Sequence, residues 1–142
     1  MPDVVDRLVD AMNAHDLDAV LRCYRPDAVL VGPEMESADP EEIASYYVQM
    51  WQGFPDLHFT LWEKLADGDS VAMELLATGT NTGPYLVVGG DVLEATGHIV
   101  HTRCSWFCTV ADGLVASHRA YYDQLQIYAQ LGLRLPLSFD AS

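Results

Sequence analysis

The sequence predicts an α+β fold, with helices packed on the concave face of a curved antiparallel sheet. Two observations predict it. Apolar residues in the first third recur at the 3.6-residue period of a helix. From residue 57 to residue 122 they recur at period two. Helices therefore come first and a meander of strands follows.

The elements follow in order. Val5, Leu8, Val9 and Met12 share one helical face, with Asp3 as N-cap. Asn13-Ala14-His15-Asp16 interrupts that pattern, and Asp16 caps a second short helix carrying Leu17, Val20, Leu21 and Tyr24. A short strand from Ala28 to Val31 ends at Gly32-Pro33. Asp39-Pro40-Glu41-Glu42 is a strong helix start: Asp39 caps, Pro40 suits the first turn, and Glu42 stands where a capping box needs it. Ile43, Tyr46, Tyr47, Met50, Trp51 and Phe54 give this helix a broad apolar face, and Pro55 stops it. Strands then run from Leu57 to Leu65, Ser70 to Thr80, His98 to Val110 and Leu114 to Tyr122. Asp67-Gly68 and Asp112-Gly113 supply turns, and a glycine-rich loop reaches Gly97. A last helix, Gln124 to Leu131, ends at Gly132, a C′ residue.

The 142 residues, 15.7 kDa, suit one domain spanning 1–142, because domains run to about 100–150 residues. Acidic residues outnumber basic ones 21 to 7, and Lys64 is the only lysine. A net charge of −14 repels phosphate backbones and anionic lipid, so neither nucleic acid nor a membrane surface is an expected partner. No apolar run approaches the ~20 residues that span a bilayer. The acidic N-terminus lacks a signal-peptide pattern, and three cysteines, an odd count, suit a reducing compartment. The expected location is the cytoplasm.

Several segments together resemble a known family. They are Met12-Asn13-Ala14-His15-Asp16-Leu17, Gly53-Phe54-Pro55-Asp56-Leu57, Gly68-Asp69-Ser70-Val71-Ala72 and Gly79-Thr80-Asn81-Thr82-Gly83. Thr96-Gly97, Asp112-Gly113-Leu114-Val115, Tyr121-Tyr122-Asp123 and Gln130-Leu131-Gly132 complete the succession. From about residue 4 to 133 it resembles the SnoaL-like polyketide cyclases of the nuclear-transport-factor-2-like superfamily. The resemblance implies a cone-shaped α+β fold with a deep apolar pocket, and a homodimer joined through the outer face of the sheet. Two departures stand near the expected pocket mouth. Asn81 replaces a histidine frequent in the family, and the loop from Pro84 to Ala95 is long.

Asp123 is the first candidate for chemistry. Simple alternation puts Val115, Ser117, Arg119, Tyr121 and Asp123 on one side of their strand, and Val115 should face the core. Asp123 then enters the pocket, where apolar walls strip its hydration and suit it to acid/base work. The resemblance assigns this aspartate the general acid/base role in the cyclases. The competing reading is a cap on the last helix, completed by Gln126. A two-residue Asp112-Gly113 turn pairs Trp106 with Arg119, Cys104 with Tyr121 and Thr102 with Asp123. That register surrounds Asp123 with Thr102, Cys104, Trp106, Arg119 and Tyr121. Arg119, stacked on Trp106, is the cation placed to stabilise an enolate or alkoxide, or else it makes a structural ion pair. Tyr121 either donates to a substrate oxygen or packs in the core. Of His98 and His101 only one can face inward, His98 in the plain register and His101 after a bulge, and either would pair with Asp123. His118 alternates outward, toward a surface or dimer role. Tyr46, Met50, Trp51 and Phe54 are core residues that also line the pocket and suit a flat apolar ligand.

Metal binding is not expected, since the histidines are dispersed and no Cys-x-x-Cys or His-x-x-x-His spacing occurs. Cys104 and Cys108 are read as small core residues. These features, with the resemblance, lead to a cofactor-free acid/base catalyst. It would cyclise a hydrophobic, polyketide-like small molecule by an aldol-type or ether-forming step, helped by the pocket's orientation of the chain. Tyr121-Tyr122-Asp123 is also similar to the end of the limonene epoxide hydrolases, so epoxide opening is an alternative. Ser70 to Thr80 offers only Glu74 for the further carboxylate and arginine that such chemistry needs. A steroid isomerase fits less well without a tyrosine in the first helix, and a hydroxylase is open. A non-catalytic binding protein of the same fold is the alternative from another class.

Overall fold

Capping aspartates start each of the four helices among the described residues, and short polar turns set the lengths of the strands. The computed structural model describes residues 3–87 and 90–134. Asp3 caps α1 (Val4–Asn13), its Oδ1 accepting from the Val5 amide at 3.0 Å. Asp16 does the same for α2 (Leu17–Arg22), accepting from Ala19 at 3.1 Å. Asn13 ties the turn between them to the sheet, because its side chain bonds both the amide and the carbonyl of Phe59. His15, at φ 53°, adds a bond from Nε2 to the Leu57 carbonyl at 2.8 Å.

Tyr24 leaves the helical pattern and opens β1 (Tyr24–Gly32), which is longer than the four residues expected. A brief β2 (Met35–Ser37), unforeseen in the sequence, folds back on it. Asp39 caps α3 (Pro40–Gly53), accepting from the Glu41 amide at 2.9 Å. The Ser37 hydroxyl, not Glu42, takes the Asp39 amide. The meander then runs β3 (His58–Asp67), β4 (Ser70–Thr80), β7 (Ile99–Ala111) and β8 (Leu114–Tyr122). Inside the glycine-rich loop, β5 (Tyr85–Leu86) and β6 (Val92–Leu93) form a two-stranded ribbon. α4 (Gln124–Gln130) closes the order, and Gly132 beyond it takes φ 84° as the left-handed terminator expected.

The main sheet has the order β2-β1-β8-β7-β4-β3. Its meander is antiparallel, and β1 joins its flank parallel to β8. One face carries the buried side chains Phe59, Met73, Leu75, Ala77, Cys104, Trp106 and Cys108, against which the helices lay Val5, Leu8, Met12, Ile43 and Tyr47. Burying the large apolar side chains of this set, at roughly 1.5–3 kcal/mol each, supplies much of the driving force for this packing. Among the described residues, no helix is long and apolar enough to cross a membrane. All three cysteines are buried thiols.

One irregularity decides the orientation of the last strand. Ala111 pairs with Leu114 and Val110 with Val115, but Thr109 pairs with Ser117, so Ala116 is an extra residue on β8. Such a bulge reverses the parity of everything beyond it. Cys108 then faces His118, Trp106 faces Ala120 and Cys104 faces Tyr122. The expected pairs Trp106–Arg119, Cys104–Tyr121 and Thr102–Asp123 do not form.

Candidate functional site

Between the sheet and α3 lies a cavity with an empty volume of about 720 Å³, counting its open mouth. Tyr46, Tyr47, Met50 and Phe54 line it from α3. Thr102, Cys104 and Trp106 face them from β7, and His118, Ala120 and Tyr122 from β8. No Asp, Glu, Lys or Arg stands among the described lining residues. The walls therefore suit an apolar body, and the few polar atoms among them decide what chemistry is on offer.

His118 is the most consequential of these. It is 2 % exposed, and its Nδ1 lies 2.8 Å from the Tyr24 hydroxyl, which lies 2.5 Å from the Tyr47 hydroxyl. Its ring tilts against Trp106 with centroids 4.6 Å apart. Nε2 has no partner among the described residues. Burial pushes the imidazole pKa down to about 3, because an imidazolium there would lose its hydration with no carboxylate to replace it. His118 is therefore neutral at physiological pH. The same burial pushes the Tyr24, Tyr46, Tyr47 and Tyr122 phenols well above their ordinary value, and the Cys104 thiol to about 12.

The expected site residues divide. Thr102, Trp106, Tyr46, Met50 and Phe54 line the cavity as the sequence indicated. Trp51 lies outside the lining; it stacks on His15 at 5.1 Å and packs on Tyr47 at 5.8 Å. The bulge turns Arg119 and Tyr121 to the outer face. There Tyr121 is 54 % exposed and the Arg119 guanidinium sits 5.9 Å above the ring of Phe107, not Trp106. Asp123 is exposed and caps α4, its Oδ1 accepting from the Gln126 amide at 3.1 Å. Gln126 does not complete the box; its Oε1 accepts from the Thr102 hydroxyl at 3.3 Å. The expectation of an aspartate sealed in an apolar hollow is thus corrected. His98 and His101 are both exposed. His98 Nδ1 meets the Gln130 carbonyl at 3.0 Å, and the backbone of His101 is clasped by the Gln130 side chain.

His118 was expected outside and lies inside. A signal was present at the far end of the strand. Reading parity back from Ala120 and Tyr122, flanked by polar Arg119 and Asp123, turns His118 inward; reading it forward from Val115 does not. The departure at Asn81 is structural. Its side chain is fully buried, with Nδ2 donating to the carbonyls of Gly53 and Gly83, while Oδ1 accepts from the amide and hydroxyl of Thr96. It pins both ends of the long loop whose Tyr85 packs on Phe54 at the cavity. Beyond the cavity an outer groove carries Glu34, Glu42, Ser45 and Gln49. It meets the cavity at Tyr46, Met50, Tyr85 and Tyr122. The hydroxyls of Tyr46 and Tyr122 are 3.2 Å apart at that junction. Among the described residues, no group of His, Cys, Asp and Glu could hold a metal ion.

The comparisons agree with this architecture. A candidate SnoaL-like polyketide cyclase from Jannaschia sp. CCS1 superposes with TM-score 0.80 at 23 % identity, covering 93 % of this chain and 91 % of that one. IdmH, a candidate polyketide cyclase from Streptomyces antibioticus, gives 0.75 at 26 %, with 92 % and 97 % covered. AclR, a candidate hydroxylase from Streptomyces galilaeus, gives 0.77 at 23 %, with 91 % and 78 % covered. Other neighbours carry the nuclear-transport-factor-2-like and ketosteroid-isomerase-like fold. None of the curated proteins matches the chain. The model of the SnoaL-like domain matches residues 5–118, most of the chain, so the protein belongs to the SnoaL-like domain family.

Proposed function

We propose that this protein is a cofactor-free enzyme that folds a hydrophobic, polyketide-like molecule and assists its ring closure, by an aldol-type or ether-forming step. The observation that carries this reading is an apolar cavity lined by one neutral imidazole whose Nε2 is unpaired among the described residues. The walls of α3 and the sheet hold a flexible chain in a folded, near-attack shape, and such orientation lowers a barrier by several kcal/mol. They also keep water from competing. His118 then meets the carbonyl or hydroxyl at which charge develops and stabilises it in a low-dielectric site. Asp123, His98 and His101 lie outside this arrangement.

The test is turnover of poly-β-ketone thioesters, with wild-type protein compared with His118→Phe and Asp123→Asn. Cyclised product from wild type and Asp123→Asn, lost in His118→Phe, is the expected result. Wild-type rates in His118→Phe would remove the role of the imidazole. Loss in Asp123→Asn, which keeps the helix cap, would return the carboxylate to the mechanism. A second reading, non-catalytic binding, is favoured by the lack of any charged side chain on the described lining. Tight binding of the same compounds without product would establish it. Epoxide hydrolysis is less well supported, because a hydrolytic water needs charged partners and Glu74 is exposed on the far side of the sheet.

We also propose a homodimer through the outer face of the sheet. Phe107 and Tyr121 are 45 % and 54 % exposed there and pack edge to face at 6.1 Å. Light scattering should give twice the 15.7 kDa chain mass, and Phe107→Glu should restore the monomer. A monomeric wild type at micromolar concentration would contradict this.

A further inference from the structure

Tyr47, Tyr24 and His118 form a chain of three polar groups in which every proton can be placed by counting. Tyr47 is fully buried, and among the described residues the Tyr24 hydroxyl is the one partner of its own hydroxyl. An orphaned buried donor is costly, so Tyr47 donates to Tyr24. The Tyr24 hydroxyl thereby accepts at one lone pair and keeps its proton free, and the other group in reach is His118 Nδ1 at 2.8 Å. Tyr24 donates to Nδ1. A neutral imidazole that accepts at Nδ1 carries its proton on Nε2. The opposite arrangement, with Nδ1–H donating to Tyr24, strands a phenolic proton in the core and also leaves Nε2 as a bare acceptor. Both arrangements make two hydrogen bonds, but the opposite one leaves two groups unpaired where the first leaves only Nε2–H.

We infer that Tyr24 and Tyr47 are positioning residues that fix His118 as the Nε2–H tautomer, so that the cavity recognises a hydrogen-bond acceptor, a ketone or enolate oxygen, on an otherwise apolar ligand. This deepens the reading of His118 given above and rests on it. Three facts converge. His118 is buried and lines the cavity, Nε2 has no partner among the described residues, and three polar lining groups are engaged elsewhere: the Tyr46 and Tyr122 hydroxyls lie against each other and the Thr102 hydroxyl donates to Gln126. An apolar ligand lacking an acceptor leaves this donor unsatisfied. A ligand presenting a donor places two N–H groups face to face.

Two measurements test it, and neither uses turnover. The first is the two-bond ¹⁵N–¹H spectrum of the imidazoles in wild type and Tyr24→Phe at neutral pH. Wild-type His118 is expected with its proton on Nε2, and Tyr24→Phe with a mixture of tautomers. A proton on Nδ1 in wild type, or Tyr24→Phe spectra identical to wild type, overturns the inference. The second is the affinity of three tricyclic probes of nearly the same shape: fluorenone offers an acceptor, fluorene neither group, and carbazole a donor. Fluorenone should bind about tenfold more tightly than fluorene, with carbazole no better than fluorene. The Nε2 proton resonance should move only with fluorenone, and the fluorenone preference should vanish in His118→Phe. Equal binding of all three, or carbazole tightest, overturns the inference. Should His118→Phe not fold, the wild-type spectrum and the three wild-type affinities still decide. A failed turnover assay with a fluorenone preference intact would sink the enzymatic reading and leave this one standing.

Discussion

Replacing Asn81 by Ala should be among the most damaging single changes in the molecule, although the residue touches no proposed reacting group. The side chain makes four hydrogen bonds: to the Gly53 carbonyl at 3.0 Å, the Gly83 carbonyl at 3.0 Å, the Thr96 amide at 2.9 Å and the Thr96 hydroxyl at 2.9 Å. Asn81 is 0 % exposed, so water does not replace those partners. At about 1 kcal/mol per bond, with the orphaned carbonyls adding to the loss, the variant should lose roughly 4 kcal/mol. That is a large part of the 5–15 kcal/mol by which domains are stable, a general range. Asn81→Asp should lose at least as much, since it turns two donors into acceptors facing two carbonyls. Urea unfolding with an unchanged slope is the assay. A loss under about 1 kcal/mol in Asn81→Ala would show that the loop is not held from this hub.

Other consequences follow from the same geometry. A Cβ on Gly83 would lie 1.9 Å from the Gln52 carbonyl oxygen, so Gly83→Ala must push backbone apart and should cost at least about 2 kcal/mol in urea unfolding. Asp123→Ala should lose about 1 kcal/mol of stability as the α4 cap is removed, whereas Asp123→Asn should lose almost none; equal losses would contradict the capping role. His118 makes stability depend on pH in a defined direction. Its folded-state pKa of about 3 lies below the ordinary 6.5, so the unfolded chain takes up the proton first. Stability therefore falls as pH drops from about 6.5 toward about 3, by up to about 1.4 kcal/mol per unit. His118→Phe should remove that component of the slope between pH 7 and 5, and an unchanged slope would show that His118 is not the group responsible.

The helices were legible because their starts are chemical. Asp3, Asp16 and Asp39 each cap as their positions indicate, and Gly132 ends α4 because only that conformation closes it. β4 and β8 run over the same residues that the period-two pattern marks. The short strands β2, β5 and β6 were not legible, since two or three residues carry no periodicity. On α3 and β7 the pattern marks Tyr46, Met50, Phe54, Thr102 and Trp106, which line the cavity, and also Trp51, which stacks on His15 instead. The β8 wall was not legible, and a single residue explains it. Ala116 and Ser117 are small enough to sit on either face, so nothing in their chemistry announces the bulge that separates them from Val115. Beyond it, parity exchanges Arg119 and Tyr121 for His118, Ala120 and Tyr122. A histidine tolerates this interior because it can stay neutral and bond to a tyrosine, a solution invisible without the partner from β1.

The central claim is that one of the chain's five histidines stands neutral inside the cavity. Following all five imidazoles by NMR as the pH is lowered from about 8 to about 5 tests it most directly. His118 should show no protonation over that range. A His118 signal that titrates near pH 6.5 would place the ring in contact with water or a countercharge, and would contradict the account.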